Sequence, residues 1–216
     1  MARLKQRAAV LISGRGSNMQ ALLDAARDPS YPVEFALVVS NRPATPGLAR
    51  AAAAGVPNLV VDHRLFRDDR QAHEAEIDAL LRAAGIQIVC LAGYMRLMTP
   101  FLVDRWAGRM LNIHPSLLPA FPGLDTHARA LAAGVRLHGC TVHLVTTTMD
   151  DGPILAQAAV PVLPGDTSET LADRVLVQEH VIYPLALRLF ADRRAGESPP
   201  TGAALLNPLP DPATLP

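Results

Sequence analysis

Cysteine is scarce in this 216-residue chain, which has only Cys90 and Cys140. Two thiols cannot build a disulfide framework, and by themselves they cannot make a metal site. Cys90 lies in the apolar run 86–91 and reads as a small buried hydrophobe. So little cysteine agrees with a reducing compartment, and a cytoplasmic location is expected. Net charge is also missing, with 20 Lys plus Arg against 20 Asp plus Glu. That leaves no general basic field for nucleic acid and no acidic tail. No apolar run is long enough to span a bilayer, so no membrane partner is expected. The basic start at residues 1–7 is short and leads straight into a strand signal, unlike a signal peptide. No internal repeat is found. What is present is an apolar half, 50% of all residues. This composition predicts one domain over 1–195 and a proline-rich tail over 196–216, extended on the surface or disordered.

The chain alternates strand and helix signals. Residues 8–13 are a continuous apolar run, as expected of a strand buried on both faces. Further strands are predicted at 33–40, 58–61 and 86–91, with helices at 19–26, 45–55 and 67–84, the last ending near Gly85. Thr99-Pro100 opens a short helix over 101–106, and Gly108 closes it. A helix over 126–133 ends at Gly134. Strands follow at 138–145 and 154–162, antiparallel because the loop between them is too short for a crossover. A final helix runs from 168 to about 193, with Pro184 expected to kink or interrupt it. The pattern predicts an α/β fold. Its sheet is doubly wound, Rossmann-like and mostly parallel, with an antiparallel C-terminal strand and helices on both faces. Ligands of such sheets lie beyond the carboxyl ends of the strands.

Two loops at such ends invite a ligand. Gly14-Arg15-Gly16-Ser17-Asn18 follows the first strand and opens a helix. Met19 occupies the third glycine position of the dinucleotide fingerprint, and no Gly-Lys-Ser/Thr is present. Two readings remain: a seat for a single phosphate on backbone amides, or a plain turn with Ser17 as N-cap. Tyr94-Met95-Arg96-Leu97-Met98 follows the fourth strand. It either lines an apolar slot for a flat ligand or packs into the core with Arg96 at the surface.

The chain is organised around Asn112-Ile113-His114-Pro115-Ser116-Leu117-Leu118-Pro119, with Phe121-Pro122-Gly123 just beyond. If Met110-Leu111 begins a strand, alternation puts Asn112 and His114 on one face. Three prolines then stiffen the exit. An amide donor beside a titratable imidazole suits acyl transfer, in which negative charge grows on a carbonyl oxygen. Taken alone, the Asn-x-His pair usually reads as a strand-end cap and a surface histidine.

The whole octapeptide resembles the signature of the folate-dependent formyltransferases. The loop Ser13-Gly14-Arg15-Gly16-Ser17-Asn18 narrows the resemblance to the branch acting on 5-phosphoribosylglycinamide (GAR) in purine synthesis. Leu91-Ala92-Gly93-Tyr94-Met95-Arg96, Pro122-Gly123-Leu124, Asp150, Gly152-Pro153 and Gln178-Glu179-His180 follow the same pattern in order. The resemblance implies a Rossmann-like fold and transfer of a formyl group from 10-formyltetrahydrofolate, a co-substrate, to the amine of GAR. It implies no metal and small-molecule partners only, in a monomer or homodimer. It assigns catalysis to Asn112, His114 and Asp150, and GAR binding to Gly16, Ser17, Asn18 and Glu179. It assigns the folate slot to Arg70, Met95, Arg96, Leu97, Met98, Asn112, Thr146, Thr147, Thr148, Met149 and Asp150. His127, His138, His143 and His180 receive no acid–base role. Asp125 and Asp151 depart from the family pattern, which favours histidine and a small residue there.

In the implied reaction Asn112 donates to the formyl oxygen and protonated His114 stabilises the same charge. Asp150 favours the protonated imidazole and positions a water that relays the proton. Two relatives of this chemistry fit less well. The formyl-folate hydrolases usually carry an N-terminal regulatory domain, and the first strand here starts at residue 8. The formyltransferases acting on aminoacyl-tRNA carry a further C-terminal domain, whereas only a short tail without lysine or arginine follows Arg194. A non-catalytic nucleotide sensor would use 14–18 but leave Asn112, His114 and Asp150 without a purpose.

Overall fold

The computed structural model describes residues 4–192. The expected boundary near 195 and the tail 196–216 lie outside the described residues. The innermost strand, β1 (Gln6–Ile12), shows why its sequence is unbroken and apolar. Ala8, Val10 and Ile12 enter one core, Ala9 and Leu11 enter a second, and all five are fully buried. Parallel partners flank it: β2 (Val33–Ser40) on one side and β4 (Ile88–Leu91) on the other. The sheet is completed by β3 (Asn58–Val60), β5 (Met110–His114), β6 (Leu137–Leu144) and β7 (Ile154–Pro161), in the order β3-β2-β1-β4-β5-β6-β7. The antiparallel element expected near the C-terminus is β6, which opposes both β5 and β7.

Each core is roofed by helices. The first takes Met19, Leu22 and Leu23 from α1 (Ser17–Ala25) and Leu171, Val175, Ile182 and Leu187 from α6 (Ser168–Ala191). The second takes Ile77 and Leu81 from α3 (Arg70–Ala83) and Leu102 from α4 (Pro100–Arg105). Two further short helices, α2 (Pro46–Ala53) and α5 (Thr126–Ala132), complete the set among the described residues. The strand order reverses between β1 and β4, so the loops leaving them diverge and open a crevice. Ser13 Oγ accepts the Met95 amide at 2.8 Å and ties the two loops together at that point.

Three expectations need correction. The helix predicted from residue 67 begins at Arg70, because Asp69 caps it by accepting the Ala72 amide. A separate 3-10 turn, His63–Phe66, fills the approach, capped in turn by Asp62. Ser17 is not an N-cap; it is the first residue of α1, and Gly16 precedes it in a left-handed conformation. Pro184 does not interrupt α6, which runs unbroken to Ala191. Tyr183 and Leu187 on either side are fully buried, and this packing outweighs the one backbone bond that proline removes.

Tyr183 also fastens α6 to the middle of the sheet. Its hydroxyl lies 3.0 Å from the Leu91 carbonyl and 3.2 Å from that of Leu111, at the ends of β4 and β5. Tyr183→Phe keeps the ring and removes this tie. It is expected to cost about 1 kcal/mol, read as a melting temperature lower by about 2–4 °C. An unchanged transition would mean the two carbonyls do not need the hydroxyl.

Candidate active site

Strand β5 reads Met-Leu-Asn-Ile-His, and its alternation sorts the site from the core. Leu111 and Ile113 enter the first core, while Asn112 and His114 share the opposite side with Met110. The antiparallel register sets His143 of β6 directly across from Asn112. The loop between β6 and β7 then returns over this face and brings in Asp150.

The resulting cluster is compact. Asn112 Nδ2 lies 3.1 Å from His143 Nε2. His114 Nδ1 lies 3.4 Å from Asp150 Oδ2, and His143 Nε2 lies 3.8 Å from Asp150 Oδ1. The Gly123 amide donates to Asp150 Oδ2 at 2.8 Å, and His114 Nε2 meets the Phe121 carbonyl at 3.1 Å. His114 and His143 are 5% and 2% exposed, so these groups interact with little water between them. Burial pushes the His143 pKa down, against a weaker upward pull from Asp150.

The proline loop is held down by polar side chains from β6 and β7. Thr141 Oγ1 donates to the Ser116 carbonyl at 2.7 Å and accepts the Leu118 amide at 3.1 Å. Gln157 Nε2 donates to the Leu118 carbonyl at 2.9 Å. Phe121 (φ 54°) and Asp150 (φ 54°) both adopt the left-handed conformation, unusual for residues with a side chain. At Phe121 it turns the carbonyl onto His114; at Asp150 it turns the loop toward Gly123.

Behind His114 stand two further imidazoles. His127 and His138 meet edge to face with centroids 5.2 Å apart. Burial pushes His138 down to about 4, helped by the neighbouring charge of His127, and pushes His127 down as well. His138 therefore binds its proton in the unfolded chain near pH 6.5 and in the folded protein only near 4. Its contribution is neutral above pH 6.5 and turns against the fold as pH falls through that window. The expected loss is about 2 kcal/mol between pH 7 and 4.5. Urea titrations at both pH values check this, and His138→Phe should flatten the difference.

The glycine loop meets α2 backbone to backbone. A Cβ on Gly16 would stand 2.8 Å from Gly47 Cα, and one on Gly47 would stand 2.5 Å from Ile12 Cδ1. The loop is thus tight, and it leads directly into the first turn of α1, whose opening amides have no partner within the helix. Asn18 Nδ2 donates to Glu179 Oε2 at 2.6 Å, which links α1 to α6. Glu179 is 7% exposed, and burial pushes its carboxyl pKa up while the Asn18 bond opposes this.

The segment after β4 divides between its two readings. Tyr94 and Met98 pack against the second core, whereas Met95 and Leu97 are 60% and 59% exposed. Met149 is also exposed and rests near Gly123, so both loops expose apolar side chains. Arg96 is half-buried, near enough to His73 and Tyr94 to disfavour positive charge on one and favour ionisation of the other, in both cases behind burial. Arg70 stands apart, exposed at the head of α3. A cavity of about 320 Å³ between α4 and Leu144–Thr147 meets the predicted folate residues only at Thr146 and Thr147. Asp151 is exposed, and the steric demand falls instead on Gly152, whose Cβ would stand 1.7 Å from the Leu144 carbonyl oxygen. Asp125 (φ 55°) is exposed at the start of α5.

The structure thus joins Asn112, His114 and Asp150 into one cluster and Asn18 with Glu179 into another. His143, Phe121, Gly47 and Gly123 are additions. His143 receives no acid–base role from the sequence and gains meaning only from the β5–β6 register.

The profile of the formyl transferase family matches residues 6–187. The chain is 45% identical to the phosphoribosylglycinamide formyltransferase of Escherichia coli over 185 residues, 86% of this chain and 87% of that one. It is 50% identical to the trifunctional purine biosynthetic protein adenosine-3 of Bos taurus over 196 residues. That match takes in 90% of this chain but only 19% of the larger protein. The crystal structure of phosphoribosylglycinamide formyltransferase from Brucella melitensis superposes with a TM-score of 0.83 at 54% identity, covering 90% of this chain and all of that one.

Proposed function

The chain belongs to the formyl transferase family, and on that basis we propose that it transfers the formyl group of 10-formyltetrahydrofolate to the amine of GAR. The products are formyl-GAR and tetrahydrofolate. The observation that carries this reading is the single cluster of Asn112, His114 and Asp150 in a chain 45% identical to a GAR formyltransferase along most of both lengths.

The chemistry follows from the contacts. The GAR amine attacks the formyl carbon, and negative charge builds on the formyl oxygen. Asn112 has a second amide hydrogen beyond the one directed at His143, and this donates to that oxygen. One such donor is worth about 3 kcal/mol of barrier. His114, when protonated, has both N–H groups engaged, one toward the Phe121 carbonyl and one toward Asp150. It therefore acts first as a fixed positive charge beside the developing oxyanion. Asp150 balances that charge and accepts, through a water, the proton lost by the amine. Protonation of the folate nitrogen then releases tetrahydrofolate.

The phosphate of GAR is read onto the amides opening α1, with Glu179 and Asn18 beneath the sugar. The folate is read between Met95–Met98 and the 146–150 loop, with Arg70 and Arg96 available to its carboxylates. The test mixes the protein with 10-formyltetrahydrofolate, with and without GAR, and follows loss of the formyl group by absorbance. Loss only with GAR is expected. Equal loss without GAR would make the protein a hydrolase, and no loss in either case would overturn the reading.

A further inference from the structure

We propose that His143 is the positioning residue for Asn112, fixing by its tautomer which end of the Asn112 amide faces the reacting carbon. An asparagine side chain can present oxygen or nitrogen with almost the same shape. Only the nitrogen donates, so an amide turned the wrong way would set an oxygen against the developing oxyanion.

The hydrogen-bond chain removes this ambiguity. His143 Nδ1 lies 2.9 Å from the Leu144 carbonyl, which can only accept, so Nδ1 carries the hydrogen. In the neutral ring Nε2 is then a bare acceptor. Asn112 meets Nε2 at 3.1 Å and must present its NH2 group there. One amide hydrogen goes to His143, and the other is left pointing toward the formyl oxygen. The cross-strand register places the two residues opposite one another, so the contact does not depend on a mobile loop.

The arrangement requires a neutral imidazole. A proton on Nε2 would turn the ring toward Asp150 Oδ1, now 3.8 Å away, and would push the Asn112 NH2 group off. The groups facing His143 act in opposite senses: Asp150 from the β6–β7 loop favours its charge, and His114 from β5 disfavours it. Burial exceeds both and keeps the ring neutral. The site thus uses two imidazoles for different tasks: His114 to carry charge, His143 to stay without it.

This inference rests on the reading of Asn112 as donor to the formyl oxygen, and the experiment separates the two. Turnover is measured for Asn112→Ala, His143→Leu and the double variant. His143→Leu is expected to lower kcat about 30-fold with both KM values within about threefold. In the Asn112→Ala background the same change should cost less than about threefold, because no amide remains to be oriented. If Asn112→Ala keeps full turnover, the reading of Asn112 fails. If Asn112→Ala loses turnover while His143→Leu keeps it, or if the His143→Leu loss is the same in both backgrounds, the positioning role is overturned. Long-range 1H–15N correlation on the unaltered protein gives an independent answer that needs no variant to fold. At pH 7 it should show His143 protonated at Nδ1 and bare at Nε2. A proton on Nε2 would overturn the proposal.

Discussion

His114→Ala should lower kcat for formyl transfer by about 10³-fold, with GAR and folate still bound within a few-fold of the unaltered affinity. The magnitude comes from removing a charge in a site with little water. On the proposed mechanism His114, 5% exposed and 3.4 Å from Asp150, would place a positive charge at short range from the oxyanion. Removing the ring also leaves the Asp150 carboxylate with its Gly123 amide but without its cation. An uncompensated anion near the developing oxyanion raises the barrier further. Asp150→Asn in the His114→Ala background should therefore be less harmful than the product of the two single losses. Binding survives because the glycine loop and the apolar crevice lie on other elements. Single-turnover kinetics with isothermal titration of each ligand would check both halves. A loss confined to KM would assign His114 to binding instead.

Gly152→Ala carries the second large effect. Its Cβ would stand 1.7 Å from the Leu144 carbonyl oxygen and 2.8 Å from the carbonyl carbon, both backbone atoms. No side-chain rotation relieves such a contact, so the β6–β7 loop must shift. That loop carries Asp150 two residues earlier, and the strand pairing closes just after it, where Leu144 N donates to the Pro153 carbonyl at 2.9 Å. The expected result is a fall in kcat of at least about 10²-fold. Thermal stability should drop by more than about 5 °C, since the strain of several kcal/mol falls where the loop joins β7 and presses on the backbone of β6. Circular dichroism melts and steady-state kinetics on the same sample would check it. Near-normal activity would mean the loop can move without displacing Asp150.

Most of the architecture was legible because strand and helix periodicities differ and this chain keeps them apart. The second strand begins and ends where the apolar run 33–40 does. The errors fell where a short polar side chain decided a boundary. Asp69 caps α3 three residues later than hydrophobic spacing alone suggests, and Asp62 caps a short turn that the spacing does not signal. That Pro184 would not interrupt α6 was not legible, because the burial of Tyr183 and Leu187 is a tertiary fact. In the site, Asn112 and His114 were visible as neighbours on one strand face. His143 was not, because pairing across an antiparallel register is set by the turn and by packing, neither of which is written locally. Phe121 gave no signal, since its contribution is a backbone carbonyl and a left-handed φ.

The bond from Asn18 to Glu179 spans 161 positions of the chain. The phosphate seat proposed at the start of α1, its floor arriving so late, would not mature with the first strands. During folding, β1 and α1 can form early from local contacts, yet the carboxylate beneath them waits for α6 to dock. Activity regained on refolding should therefore follow the slowest docking step rather than the first gain of helical signal. A growing chain would hold its phosphate loop incomplete until almost the whole domain had been made.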